Sequence, residues 1–499
     1  MSDQRPDPFK PDVSAEHPVS ENWIWTGSHR PAMPRALIDG LARDWELAAL
    51  TDDVHPAAAY SADRRRRLAE QFPGATLVVP TGNFKVRSND TDYDFRPGSD
   101  FYYLTGSVEP DCVLVITPGD AGERAVLYVA HRRDQRTHEF ISDARYGELW
   151  VGARRGVDEA ARYYGVQTVA LDQMAGDLAV LGGDVLTLRG LDPSVDVLRG
   201  AHEGDGQLAA TLGEMRLTKD AFEVAALQKA IDDTVKGFVD VVRALPEAIG
   251  RGQRVVEGVF NLRARVEGND VGYGTIAASG PNATTLHWMR NDGAVRAGDL
   301  LLLDAGVEGH YLYTADVTRT MPVSGQFTPP QRRIYDIVLA AQEAGLAAVA
   351  PGAPFEAAHN AAVRVMAEGL YDLGILADEP EVSVRPDRQT HRRYTLHGVS
   401  HMLGLDVHDC DEARREVARG ELRPGYVLTV EPGIYFQPND LTVPEEYRGI
   451  GVRIEDDVLV TTDGSRNLSA ALPRAADDVE AWMDEIWSRQ GASDLGLTD

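Results

Sequence analysis

Leu300 to Thr320 reads LLLLDAGVEGHYLYTADVTRT, an apolar arm and a returning arm, each carrying one aspartate. Four leucines lead into Asp304, a turn is predicted at Glu308 to His310, and Tyr311 to Thr320 returns rich in β-branched and aromatic residues. A turn centred near His310 sets Asp304 and Asp316 opposite one another on a common face. Two carboxylates that close in an apolar sheet cannot both stay ionised unless a cation lies between them. Taken alone, the plainer reading is an ordinary hairpin whose aspartates face water. A metal site requires further ligands from elsewhere in the chain.

The surroundings are those of a large, acidic, globular protein. At 499 residues the chain exceeds one ordinary core, and two large domains are expected. Apolar residues make up 43% of it, but nowhere in an unbroken run of the length that spans a membrane. The opening stretch, MSDQRPDPFKPDVSAEHPVSEN, has prolines and acids where a signal peptide carries a basic and then an apolar region, so it reads as an uncleaved tail on a cytoplasmic protein. A formal charge of -28 argues against nucleic acid or an anionic membrane surface as a partner. Cys112 and Cys410 are too few for a disulfide framework or a thiolate zinc site.

Read in order, residues 1–60 form a polar leader. A helix over Asp63–Phe72 and strands over Ala75–Pro80, Phe101–Leu104, Val113–Thr117 and Ala125–Ala130 then alternate with further helices, which indicates an α/β first domain at 61–205. Glycine and polar residues between Arg199 and Gly206 suit a linker. A second domain at 206–490 opens on a long helix. Asp220 with Glu223 forms a capping-box pattern, and Leu227, Ile231, Val235, Phe238, Val242 and Leu245 recur at helical steps. Helices are predicted from Thr328 to before Pro351 and over Phe355–Leu373, strands over Val427–Val430 and Gly451–Val460, and a closing helix over Asp477–Trp487. Arg453 and Glu455 stand two apart on one strand and share a face.

Thr395 to Asp409, TLHGVSHMLGLDVHD, carries His397, His401 and His408. Three histidines so close are hard to explain as separately satisfied core residues. Gly398 stands where a zincin has its glutamate, so this is not H-E-x-x-H.

The ordered set Asp304, Asp316, His401, Glu431 and Glu455 resembles the five metal ligands of the pita-bread metallopeptidases. The flanks GYGTIAASGPNATTLHW, DAGVEGHYLYTADVTRT, HGVSHMLGLDVHD, VEPGIYF and GVRIEDDVLVT are similar to the aminopeptidase P group, and RSNDTDYDFRPGSDFYYLTG resembles its N-terminal domain. The resemblance implies a creatinase-like α/β N-terminal domain and a pita-bread catalytic domain with a curved antiparallel sheet flanked by helices. It also implies hydrolysis of the N-terminal Xaa-Pro bond of peptides, and a homodimer or homotetramer. A prolidase shares the five ligands and stays open as an alternative; a non-catalytic pita-bread protein typically lacks some of them. Four carboxylates with one imidazole carry four negative charges, which two divalent ions neutralise, and oxygen-rich ligation favours manganese. Two such ions can share a water and lower its pKa. The resemblance further implies that Glu431 takes the proton from that water and that His287, His397 and His408 line the substrate pocket. Arg453 would orient Glu455. Tyr273 and Tyr435 fit either support through their hydroxyls or plain core packing.

Overall fold

A computed structural model of the chain describes residues 23–24, 33–41, 43–46, 50, 53–89, 91–119 and 122–489. Most of the predicted leader, including all of 1–22, lies outside the described residues. The chain divides into two compact units, Met1–Leu208 and Ala209–Asp499. The division falls inside a helix, Asp205–Leu217, and not in the glycine-rich stretch before it.

The first unit is a five-stranded mixed sheet with helices. Strands β1 (Thr76–Pro80), β2 (Val113–Gly119), β3 (Gly122–Val129), β4 (Gln167–Ala170) and β5 (Val185–Thr187) lie in the order β4-β3-β2-β1-β5. The β1–β2 and β2–β3 pairs are antiparallel, while β4 and β5 join at the two edges in parallel. Phe101–Leu104, expected as a strand, is instead part of a helix, Ser99–Thr105, in which Phe101 to Thr105 are all buried. Burial on every side removes the alternation on which a strand reading depends. Gly106 ends this helix in the left-handed region at φ 71. Two arginines of the helix Ala58–Gln71 then satisfy its last carbonyls: Arg64 donates to Tyr103 O at 2.9 Å and Arg65 to Leu104 O at 2.7 Å.

The second unit is built on antiparallel pairs backed by helices. Helix α1 (Ala221–Ala248) opens with the capping box anticipated from Asp220 and Glu223, whose loss would cost about 0.5–2 kcal/mol. Together with α2 (Gln253–Glu267) and the closing helix α3 (Ala476–Ser488) it packs Phe238, Val242, Phe260 and Met483 on strands β6 (Leu300–Ala305) and β7 (Val317–Pro322). A second helix pair, Pro329–Ala348 and Glu356–Asp372, packs Ile334, Val338 and Met366 on β8 (Val427–Val430), β9 (Gly433–Tyr435), β10 (Gly451–Arg453) and β11 (Asp456–Val460). The strand expected over Gly451–Val460 is two strands, broken at Ile454 and Glu455. There the backbone leaves one partner for another: Ile454 N donates to Pro432 O at 3.3 Å and Glu455 N to Thr318 O at 3.1 Å. The second donation ties the two halves of the domain together beneath Glu455.

Candidate metal centre and active site

The β6–β7 hairpin turns one residue later than its sequence suggests. Asp304 pairs with Thr318 and Ala305 with Val317, and Glu308 bridges to Thr314 beyond them. Continued along the arms, that register sets Gly306, not Asp304, across from Asp316. Moving the turn by one residue shifts each partner by two, so both acids still share a face, as diagonal neighbours. Gly306 leaves room for this, since a Cβ there would land on the Ala315 carbonyl. Tyr273 spans the pair, its hydroxyl 2.7 Å from Asp304 Oδ1 and 2.5 Å from Asp316 Oδ1. One hydroxyl has one proton, so at most one of these contacts is donated by Tyr273 to an ionised carboxylate.

His401 and Glu431 are brought together by the same diagonal logic in the other half. Val399 to Leu403 runs antiparallel to β8: Leu403 N donates to Val427 O, Thr429 N to His401 O and Glu431 N to Val399 O, at 2.8–3.0 Å. His401 therefore stands across from Thr429, with Glu431 next along the same face. Its Nδ1 lies 3.1 Å from Met402 O, which holds the Nδ1–H tautomer and turns Nε2 toward Asp316 Oδ2 at 3.2 Å and Glu431 Oε1 at 3.6 Å. Donor atoms of Asp316, His401 and Glu455 all lie within 4.8 Å of one another.

These side chains converge on a cavity of about 490 Å³. Asp304, Asp316, Glu431, Glu455, His287, His397, His401, His408, Arg453 and Tyr273 line it. Tyr435 stands behind this wall, where its hydroxyl meets His397 Nε2 at 2.8 Å and accepts from Arg453 Nη1 at 2.8 Å. Arg453, expected beside Glu455, donates instead to Asp304 across the sheet. It reaches Glu455 through Thr318, whose Oγ1 accepts from Arg453 Nε at 3.2 Å and donates to Glu455 Oε2 at 2.6 Å. The backbone break at Glu455 re-aims that side chain. Two neighbours were not singled out from sequence. Thr318 is one; Asp457, whose Oδ2 accepts from Asp316 N at 3.1 Å, is the other. Each stands two residues along the chain from a candidate ligand, Thr318 from Asp316 and Asp457 from Glu455.

The electrostatics are those of a site short of positive charge. Burial, and after it the neighbouring acids, pushes Glu455 far above the usual carboxylate range. Burial raises Glu431 to about 7 and raises Asp304 against the pull of Arg453. Burial also lifts the Tyr273 phenol, with Asp304 and Asp316 adding to it. For His401 burial works against the proton, yet Asp316 and Glu431 outweigh it and bring the ring to about 9. His397 goes the other way, to about 4, through burial and then Arg453. Exposed Asp411 and Arg419 also line the cleft, but its inner part sets four carboxylates against the single guanidinium of Arg453, which fits a cation of high charge, and an oxygen-rich set with one imidazole suits a hard divalent ion.

Comparison with known proteins agrees with this chemistry. Residues 225–462 match Metallopeptidase family M24, and residues 61–184 match the aminopeptidase P N-terminal domain. The chain is 52% identical to Xaa-Pro aminopeptidase 1 of Streptomyces coelicolor over 91% of its own length and 93% of that protein's. It is 36% identical to the Xaa-Pro aminopeptidase of Escherichia coli over 84% of its length and 96% of that protein's. Among solved structures, aminopeptidase P of Pseudomonas aeruginosa superposes with a TM-score of 0.76 at 32% identity, covering 87% of this chain and 100% of the other. A zinc-substituted E. coli aminopeptidase P in complex with product superposes with the same TM-score at 34% identity, over 87% of this chain and 99% of the other. With both domain signatures in order and full-length relatives in common, the chain belongs to the Xaa-Pro aminopeptidase (aminopeptidase P) group of the M24 metallopeptidases.

Proposed function

We propose that this metal-dependent aminopeptidase removes the N-terminal residue from peptides whose second residue is proline. One observation carries the reading: five acids and four histidines from both halves of the catalytic domain face a single cavity of peptide-binding size. Asp304, Asp316, His401, Glu431 and Glu455 are the residues that would hold two divalent ions, manganese by the hardness of the set. When bound, such ions activate a water and polarise a carbonyl. Glu431 takes the proton from the attacking water, consistent with a carboxylate buried in a low-dielectric site. His287, His397 and His408 orient the scissile carbonyl and stabilise the tetrahedral intermediate. His397, kept uncharged by its pKa near 4, gives its Nδ1–H to Gly398 O at 2.7 Å and accepts from Tyr435 at Nε2, so its ring is fixed in the wall of the pocket. Arg453 positions Asp304 and Tyr435, and Tyr273 positions Asp304 and Asp316. The amide before proline lacks an N–H, so the substrate is held by shape and not by that donor.

Two free, buried thiols, Cys112 and Cys410, accord with a reducing cytoplasm. Leu149, Trp150 and Val151 are consecutive and exposed on the first unit, which supports assembly into a dimer or tetramer. The test is hydrolysis of an Xaa-Pro-Pro tripeptide beside an Xaa-Pro dipeptide, with elemental analysis of the purified chain. Cleavage of the tripeptide, two divalent ions per subunit and loss of activity with a chelator are expected. Cleavage confined to the dipeptide would make the chain a prolidase.

A further inference from the structure

A second cavity, of about 610 Å³, adjoins the first. His397, Gly398, Ser400 and Arg419 line both, so residues 397–400 form the wall between the two chambers. Ser400 Oγ on that wall is buried and has no hydrogen-bond partner among the described residues. The far side is made by the helix Glu356–Asp372, which contributes Arg364, and by the turn Thr390–Arg393, which contributes Arg392.

The charges of this chamber do not balance. Its ionised side chains are Arg364, Arg392, Arg419 and Glu356. Arg419 pairs with Glu356 at 3.5 Å. Among the described residues Arg392 donates only to neutral groups, Gln389 Oε1 at 2.8 Å and Leu396 O at 3.1 Å. Arg364 makes no ion pair or hydrogen bond within the described residues. His359 and His391 also face the chamber; burial lowers both of their pKa values, so neither adds charge at neutral pH. Two guanidinium groups are thus left without a counter-charge, in a chain whose formal charge is -28.

Geometry limits what can fill this space. An enzyme that removes one residue from the amino end has room for a single residue on that side of the scissile bond. A chamber beside the catalytic cavity is therefore available only to the part of the peptide that follows the bond. Resting on the function proposed above, we propose that the second chamber receives the residues after the proline, and that Arg364 and Arg392 select a carboxylate there. An acidic side chain or the peptide's own C-terminal carboxylate supplies that chemistry, and a planar guanidinium binds it with two parallel hydrogen bonds.

The test is calorimetric binding of short product-like peptides to the metal-loaded full chain. Pro-Ala-Asp-Glu-amide offers side-chain carboxylates only, Pro-Ala-Asn-Gln with a free C-terminus offers the terminal carboxylate only, and Pro-Ala-Asn-Gln-amide offers neither. One or both acidic peptides should bind roughly threefold to tenfold more tightly than the neutral one, as expected for part-exposed ion pairs. The ratio should shrink in high salt. It should fall to about one when Arg364→Ala and Arg392→Ala are combined, and reverse in Arg364→Glu. Both arginines are exposed, so these variants test charge without disturbing the core. Equal affinities in the parent, or a preference that survives the substitutions, overturns the proposal. The two readings fail separately. A charge preference without Xaa-Pro hydrolysis refutes the activity and leaves the chamber standing; hydrolysis without the preference does the reverse.

Discussion

Arg453→Lys isolates what a guanidinium does in this site that a simple positive charge cannot. Arg453 is 3% exposed and donates in three directions: to the Asp304 carboxylate, to Tyr435 at 2.8 Å and to Thr318 at 3.2 Å. A lysine at the same depth keeps the charge but reaches one acceptor, and the carboxylate is the strongest of the three. Losing the charged bond to Tyr435 should cost about 1.5–3 kcal/mol and losing the longer bond to Thr318 about 1 kcal/mol, so the variant should be about 2.5–4 kcal/mol less stable. Urea unfolding of the metal-loaded chain measures that loss. Releasing Tyr435 also frees His397, and Thr318 no longer fixes Glu455, so kcat/KM on an Xaa-Pro peptide should fall about tenfold to a hundredfold. The sharper measurement is a double-mutant cycle with Tyr435→Phe. If the Arg453–Tyr435 bond carries the effect, the two substitutions overlap by at least about 1 kcal/mol. Additive losses, or a lysine variant with parental stability and rate, would refute the reasoning.

Other perturbations probe other parts of the molecule. Asp409, buried between Arg216 and Lys219, is held far below the usual carboxylate range: burial opposes this, but the two cations outweigh it. Asp409→Asn should therefore cost about 3–5 kcal/mol at neutral pH. Because the native pKa is depressed, this stabilisation is fully present above the unfolded value of about 3.9 and disappears as pH falls through the native one, so parent and variant should converge in acid denaturation curves. His401→Ala should reduce metal content on elemental analysis, whereas His408→Ala should retain the metal and lose about a hundredfold or more in turnover; equal metal loss in both would reverse their assigned roles. Gly306→Ala places a methyl group on the Ala315 carbonyl and should lower stability by about 3 kcal/mol or more in thermal melts, with little effect only if the hairpin can slide.

How much of this was legible in advance depended on whether a signal was local. The capping box at Asp220 and Glu223, the helix Pro329–Ala348 and the strand Val427–Val430 are set by neighbours along the chain, and their patterns stood in the sequence unaided. Except for Asp411, the acids and histidines that face the cavity were recognisable as a set because their flanking motifs resemble a family, even though they lie as far apart as His287 and Glu455. What a short pattern could not supply was partner choice. The hairpin turns one residue later than its sequence suggests, a cross-strand register in which a Cβ at Gly306 would meet the Ala315 carbonyl. Phe101 to Leu104 is helix, and burial on every side leaves an apolar run that has no period by which to tell helix from strand. Arg453 turned from its sequence neighbour Glu455 to Asp304, which is 149 residues away, since the backbone break at Glu455 aims that side chain elsewhere. The second chamber depended wholly on the fold. Arg364 and Arg392 are unremarkable surface arginines in the sequence, and they become a pair only where a helix and a turn close on the wall behind His397. Short-range patterning determined which elements form and which residues are chemically suited to the site. Only packing between distant segments decided which charges meet and which are left without a partner.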